Sequence, residues 1–265
     1  MYYDRIVNYK LQIKGGCYLK KKRMIAALLF IAMSVNYAYG QDLRVIPYPE
    51  GTNTQSEGAS SAPAMINHGH SIYFDTMTDY YELANSQNRV ILSHYPTYQQ
   101  TTETTCGPAA ALTVLYWFGV KDYTEKSLAL EMKTDANQTL GTSPENMLAF
   151  FKKLGWKTDS SLTHEKFADY GAFKDFVVEN LKAGTPILVE NVYWGGHWRV
   201  IIGYDSMGTK STLDDVLIMA DPYDTCDHKQ DGYALDNGEN FYATWFDHSI
   251  LPENQREQPF IIARP

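Results

Sequence analysis

Four residues follow one another in an order that could carry acyl-transfer chemistry: Gln100, Cys106, His197 and Asp221. Cys106 opens the run Cys106-Gly-Pro-Ala-Ala-Ala-Leu112, which reads as the start of a helix. A thiol there faces the positive end of the helix dipole and unpaired backbone N–H groups, which favour the thiolate. His197 follows Gly195-Gly196 and leads a strand-like run, Trp198-Arg-Val-Ile-Ile202. Asp221 ends a second such run, Val216-Leu-Ile-Met-Ala220, and precedes Pro222. Adjacent antiparallel strands can bring two such residues within hydrogen-bond reach. The imidazole would then take the thiol proton, and the carboxylate would hold the imidazole in place. Gln100 lies six residues before Cys106, where its amide and the Cys106 N–H could stabilise an oxyanion. Taken singly, each residue has a plainer use: a small buried Cys, a core His, an Asp that forms a turn. Their combination is what points to a reaction.

Trp194 and Trp198 flank His197 and are candidates for a substrate wall, or for core residues. Asp224, Cys226, Asp227, His228 and Asp231 match neither an EF-hand loop nor a zinc spacing and read as a solvated loop. His68 and His70 read as surface residues. No metal or cofactor is expected.

The elements that would position these residues change character along the chain. Residues 90–92 read as a short strand and 106–118 as a helix, capped by Thr104 or Thr105 and stopped by Gly119. Further helices are predicted at 124–133, 143–154 and 172–182, the second with Ser143 as cap and Pro144 in its first turn. Met147, Leu148, Phe151 and Leu154 give that helix an apolar stripe. A short helix at 78–85 is also possible. Strands follow at 186–192, 197–202 and 216–220, with further candidates at 241–246 and 260–263. Helices first and hairpin-linked strands second predict an α+β fold with an antiparallel sheet.

Gln100-x5-Cys106-Gly-Pro-Ala-Ala, Gly195-Gly-His197-Trp-x-Val-Ile-Ile-Gly203-Tyr-Asp205 and Ala220-Asp221-Pro222 together resemble the C39-like cysteine peptidases, over about residues 88–250. The resemblance implies a papain-like fold: the Cys opens a helix packed on an antiparallel sheet that carries the His and the Asp. It implies Cys106 as nucleophile, His197 as base and Asp221 as orienting residue. The six-residue spacing favours Gln100 over Gln99. The best-known members are fused to ABC transporters and cut leader peptides after a double glycine. A related group, similar to phytochelatin synthase, uses the same triad for γ-glutamyl-cysteine transfer.

Lys20 to Arg23 precede a ten-residue apolar run, Met24 to Met33, and then Ala38-Tyr39-Gly40. This is the pattern of a bacterial-type export signal, too short to span a bilayer. Residues 1–40 are therefore read as a signal, with the first residues a possible over-long gene start. Residues 41–87 are read as a polar extension, linker or pro-segment, breaker-rich at 51–64, and 88–265 as the catalytic domain. Cleavage after Gly40 removes seven of the 23 cations and one of the 31 acids, leaving 16 against 30, a net charge of −14. That charge disfavours nucleic acid and anionic lipid as partners. Two cysteines, Cys106 and Cys226, remain, and a bridge between them is possible.

The leading expectation is a secreted or periplasmic thiol peptidase or amidase acting on a peptide-like amide, with no stable membrane anchor after signal cleavage. Two alternatives stand beside it: an acyl or peptidyl transferase using the same triad, and a non-catalytic binding module on the same fold.

Overall fold

The computed structural model describes residues 43–62, 78–134, 141–225 and 229–265. In chain order the elements are β1 (Arg89–Ile91), α1 (Cys106–Trp117), α2 (Glu125–Glu131), α3 (Pro144–Lys153), β2 (Lys157–Ser160), α4 (Tyr170–Lys182), β3 (Ile187–Asn191), β4 (His197–Asp205), β5 (Val216–Ala220), β6 (Tyr233–Asn237), α5 (Gly238–Ala243) and β7 (Phe260–Arg264). The strands form one antiparallel sheet in the order β2-β7-β3-β4-β5-β6. β1 pairs with the end of β4, from Ile91 opposite Gly203 to Arg89 opposite Asp205. The α+β architecture read from the sequence is the one observed.

β4 is the central strand, buried along its length up to Tyr204. Against it packs α1, whose residues from Cys106 to Leu115 are all buried. A helix that is apolar all round belongs inside a domain, which is why α1 has no polar face. The other helices are amphipathic and start with side-chain caps. Thr124 and Ser127 form a reciprocal capping box on α2, and Ser143 caps α3 ahead of Pro144. Asp169 caps α4.

Several expectations need correction. Thr105 stands at the N-cap of α1 but makes no capping bond. Its hydroxyl is drawn instead to the buried carboxylate of Glu125 and to Thr102. Residues 78–85 form a turn and no helix. The segment at 241–246 begins as the last turn of a helix, α5, which Asn237 starts by accepting from the Asn240 N–H, and only Phe246 pairs as an isolated bridge, with Glu257. Its aromatic residues suggested a strand, but they serve the core as one face of a helix, with Phe241 fully buried. α4 begins two residues earlier than its apolar pattern suggested, at Tyr170. β2 and β6 went unpredicted because they are short and rich in polar residues.

The segment before β1 is packed. The polar stretch read as a linker is anchored where it is described, because Ser60 N–H donates to the Gln100 carbonyl at 3.1 Å and Gly58 N–H to Glu103 Oε1 at 2.9 Å. Gly58 has a positive φ of 68°, and a Cβ there would meet the Gln100–Thr102 backbone at 2.7 Å, so only glycine fits. His68 and His70 lie outside the described residues, as does the signal-like segment.

The loop leading into α1 is held from beneath by Glu125. This buried carboxylate accepts from the Tyr98 hydroxyl (2.9 Å), the Thr101 N–H (2.8 Å) and hydroxyl (2.7 Å), and the Thr105 hydroxyl. Glu125→Ala would strand those donors. It is expected to lower unfolding free energy by about 3 kcal/mol in urea titrations. A loss below about 0.5 kcal/mol, the level of an ordinary surface change, would show that the loop is held by something else.

Candidate active site

Cys106 is the first residue of α1 and carries a free, buried thiol. Cys226, its possible bridge partner in the sequence, lies outside the described residues, as do Asp227 and His228. The Cys106 N–H is among the N-terminal amides that have no acceptor within their own helix. Gly107 allows close contact beside it, since a Cβ there would meet Thr142 Cβ and Oγ1 at 2.7 Å.

His197 heads β4, opposite Asn191 of β3. The β4–β5 register pairs Val200 with Ala220, so Asp221 emerges just past β5, beside the start of β4. His197 Nε2 and Asp221 Oδ1 are 2.7 Å apart, and both residues are buried. Asp221 Oδ1 also accepts from the Tyr223 N–H at 2.7 Å. With Nε2 donating to Asp221, Nδ1 is the nitrogen left to meet the Cys106 thiol, which lies near enough to act on the charge of the imidazole.

The charges reinforce this geometry. Burial opposes a charged imidazole, but Asp221 and Cys106 outweigh it and push His197 from 6.5 up to about 9. Burial likewise opposes ionisation of Asp221. His197, Arg199 and the Tyr223 N–H outweigh it, holding the carboxyl below its usual range. Arg199 is itself buried, meets Asp236 at 2.8 Å as an ion pair, and sits over the Tyr193 ring. The raised value favours the imidazolium form of His197 beside Cys106 at neutral pH.

A cleft of about 300 Å³ opens over Cys106. Thr142, Glu190, Gly196 and Ile250 line it together with both predicted tryptophans. The two tryptophans differ in kind. Trp198 is buried, and its indole N–H donates to the Thr142 carbonyl at 2.8 Å, so it is a fixed wall. Trp194 is 65% exposed at the rim, in a left-handed conformation (φ 57°), and packs on Tyr223. The glycines before His197 do more than open space. A Cβ on Gly196 would strike Ile250 and come within 2.7 Å of Asp247 Oδ2, so Gly196 lets the 247–250 loop close the cleft.

Gln99 and Gln100 do not line the cleft. Gln99 Nε2 donates to the Asp221 carbonyl at 2.9 Å. Gln100 Nε2 donates to the Thr102 carbonyl at 2.8 Å, and the Gln100 N–H donates to the Pro222 carbonyl at 2.9 Å. Together they tie the Cys106 loop to the Asp221–Pro222 turn. In the loop read as solvated, Asp224 is in fact buried and accepts from the Gly232 N–H. Glu125, Thr142, Glu190, Arg199 and Asp247 were not singled out from the sequence. The one signal available was Glu190, a carboxylate within the otherwise buried run Ile187–Asn191.

The sequence model of the Peptidase_C39 like family matches residues 92–248, which include Cys106, His197 and Asp221. This chain belongs to that family. Its helix-borne Cys packed against an antiparallel sheet bearing His and Asp is the arrangement of the papain-like fold. Among solved structures, the peptidase domain of Streptococcus ComA, a bi-functional ABC transporter involved in a quorum sensing pathway, is 21% identical with a TM-score of 0.44, covering 65% of this chain and 100% of that one. A double glycine motif protease from an AMS/PCAT transporter, in complex with the leader peptide, is 14% identical with a TM-score of 0.39, covering 68% and 96%. The peptidase domain of Streptococcus mutans ComA is 16% identical with a TM-score of 0.34, covering 64% and 98%. No curated protein matches the sequence.

The raised value of His197 has a thermodynamic consequence. Because the folded state holds the proton more tightly than the unfolded chain, the stabilisation is complete below pH 6.5 and is lost as pH rises through about 9. Urea-unfolding free energy is therefore expected to fall between those values by up to about 3 kcal/mol. His197→Ala should remove that alkaline decline, and an unchanged decline would mean that other groups produce it.

Proposed function

We propose that this protein is an exported cysteine peptidase or amidase that cleaves a peptide-like amide through a Cys106 acyl-enzyme. The observation that carries this reading is the buried imidazole, held by Asp221 on one side and meeting a helix-terminal thiol on the other, at the base of an open cleft. Residues 1–40 support export, and the net charge of −14 after their removal suits a soluble partner better than nucleic acid or an anionic membrane.

In this mechanism His197 holds the thiol proton as an imidazolium. The Cys106 thiolate attacks the carbonyl carbon, a C–S bond forms, and the carbonyl electrons move to oxygen. The Cys106 N–H and the Gln100 amide are assigned as donors to that oxyanion. In the structure the Gln100 amide is turned away from the cleft toward the Thr102 carbonyl, so this role requires it to swing toward Cys106. The C–N bond breaks as His197 protonates the departing amine. His197 then takes a proton from water, the hydroxide attacks the thioester, and the C–S bond breaks to release the acid. Replacing water by an amine in that last step would make the protein a transferase. Product analysis with added glycinamide separates the two.

The test is intact-mass labelling by iodoacetamide between pH 5 and 9, for the wild type, Cys106→Ala and His197→Ala. Wild-type Cys106 is expected to alkylate readily below about pH 8.5, where an ordinary thiol is slow, and His197→Ala should lose that reactivity by at least about tenfold. A Cys106 that reacts like a free thiol in both proteins would overturn the nucleophile assignment and leave the binding-module reading.

Gln100→Ala provides a separate check. It is expected to slow acylation by an activated peptide ester by about 100-fold while affecting alkylation far less, because only acylation passes through an oxyanion. Equal effects on both would remove Gln100 from the oxyanion site.

A further inference from the structure

Glu190 sits in the middle of a β-sheet strand and is only 1% exposed, yet its carboxyl lines the cleft over Cys106. Neither of its oxygens meets a donor at good hydrogen-bond geometry, although the Asp247 carboxyl and the His197 backbone N–H lie close enough to influence it. Beside it lies Asp247, which is fully buried. Asp247 Oδ1 is satisfied by the Ser249 N–H at 2.8 Å and the Ile250 N–H at 3.2 Å, but Oδ2 has no partner. Oδ2 faces Gly196, another cleft residue. Three carboxyl oxygens without a well-placed donor are thus gathered beside the wall of the cleft that Glu190 and Gly196 line. Among the described residues that line the cleft there is no lysine or arginine.

A buried carboxyl without a well-placed donor is costly, and Glu190 stands in a buried strand beside the apolar Leu188 and Val189. The arrangement is complementary to one ligand chemistry: a cation with several N–H donors. Burial, the neighbouring Asp247 and Cys106 all raise the Glu190 carboxyl well above the usual range. That environment disfavours a bare negative charge on Glu190, and an entering ammonium or guanidinium would supply the missing compensation.

We propose that Glu190 and Asp247 form a cation-recognising subsite beside Cys106 that selects peptide substrates with a lysine, arginine or α-ammonium group next to the scissile amide. This deepens the peptidase reading and rests on it.

The experiment compares rates of Cys106 modification by three small thiosulfonates: cationic 2-aminoethyl, neutral methyl and anionic 2-sulfonatoethyl methanethiosulfonate. The proteins are the wild type, Glu190→Gln, Asp247→Asn and Glu103→Gln, each first shown to melt cooperatively. The wild type is expected to prefer the cationic probe over the neutral one. That preference should fall by about tenfold in Glu190→Gln and Asp247→Asn. It should fall less in Glu103→Gln, which removes a charge at the mouth and leaves the buried pair. If a variant fails to fold, protection of the wild type decides: n-butylammonium should slow iodoacetamide labelling, and n-butanol should not.

Labelling that is insensitive to probe charge, a preference lost equally in Glu103→Gln, or no protection by n-butylammonium would each overturn the subsite while leaving Cys106 as nucleophile. A Cys106 unreactive toward all three probes would instead remove the peptidase reading, and the subsite with it.

Discussion

The 2.7 Å contact between His197 Nε2 and Asp221 Oδ1 is made where water is almost excluded, and that is what gives it its weight. In water two such groups would interact weakly, but in the interior their charges stabilise each other strongly enough to overcome the burial that opposes both. One nitrogen of the imidazole is thereby fixed, and the other is directed toward Cys106. Everything else in the site can be understood as keeping that pair buried and that direction true. The β4–β5 register places Asp221 beside the first turn of β4, and Arg199, two residues along from His197, adds positive charge to the same carboxylate. Gln99 then fixes the Asp221 backbone from the other side of the sheet edge.

Cys106 is positioned by a different set of contacts. α1 is buried and packed on β4, so its starting point cannot move independently of the strand that carries His197. Its entry loop is pinned by Glu125 below and by residues 58–60 alongside. Two glycines permit approaches that any side chain would block: Gly107 against Thr142, and Gly196 against the 247–250 loop. Neither is a catalytic group, but each sets how tightly the cleft closes around the thiol.

The cleft itself is uneven. Trp198 is locked in place by its bond to Thr142, whereas Trp194 stands at the rim and is largely exposed. A fixed wall and an adjustable rim suit the binding of an extended chain, with recognition provided by the polar groups inside. The carboxyl pair is the most distinctive of those groups, because membership of the Peptidase_C39 like family accounts for the triad and leaves the pair's role to this chain's own geometry.

The sequence by itself determined most of the helices, the central strands and the order of the candidate triad residues, because those depend on local signals. The capping residues Ser143 and Thr124, the buried run of α1, and the apolar strands around His197 and Asp221 are all legible over a few residues. The order Cys106, His197, Asp221 was legible for the same reason. What only the tertiary structure decided depends on partners distant in sequence. The hydroxyl of Thr105 should cap α1 by its position, but Glu125, twenty residues away, takes it. The aromatic run near residue 241 should extend by its composition, but the Asn237 cap and a core that needs one apolar face make it helical. In the sequence Glu190 is simply part of a strand, and its setting is decided only when the sheet and the 247–250 loop bring Asp247 beside it. Burial and juxtaposition set the chemistry of a polar side chain, and neither is a property of its immediate neighbours in the chain.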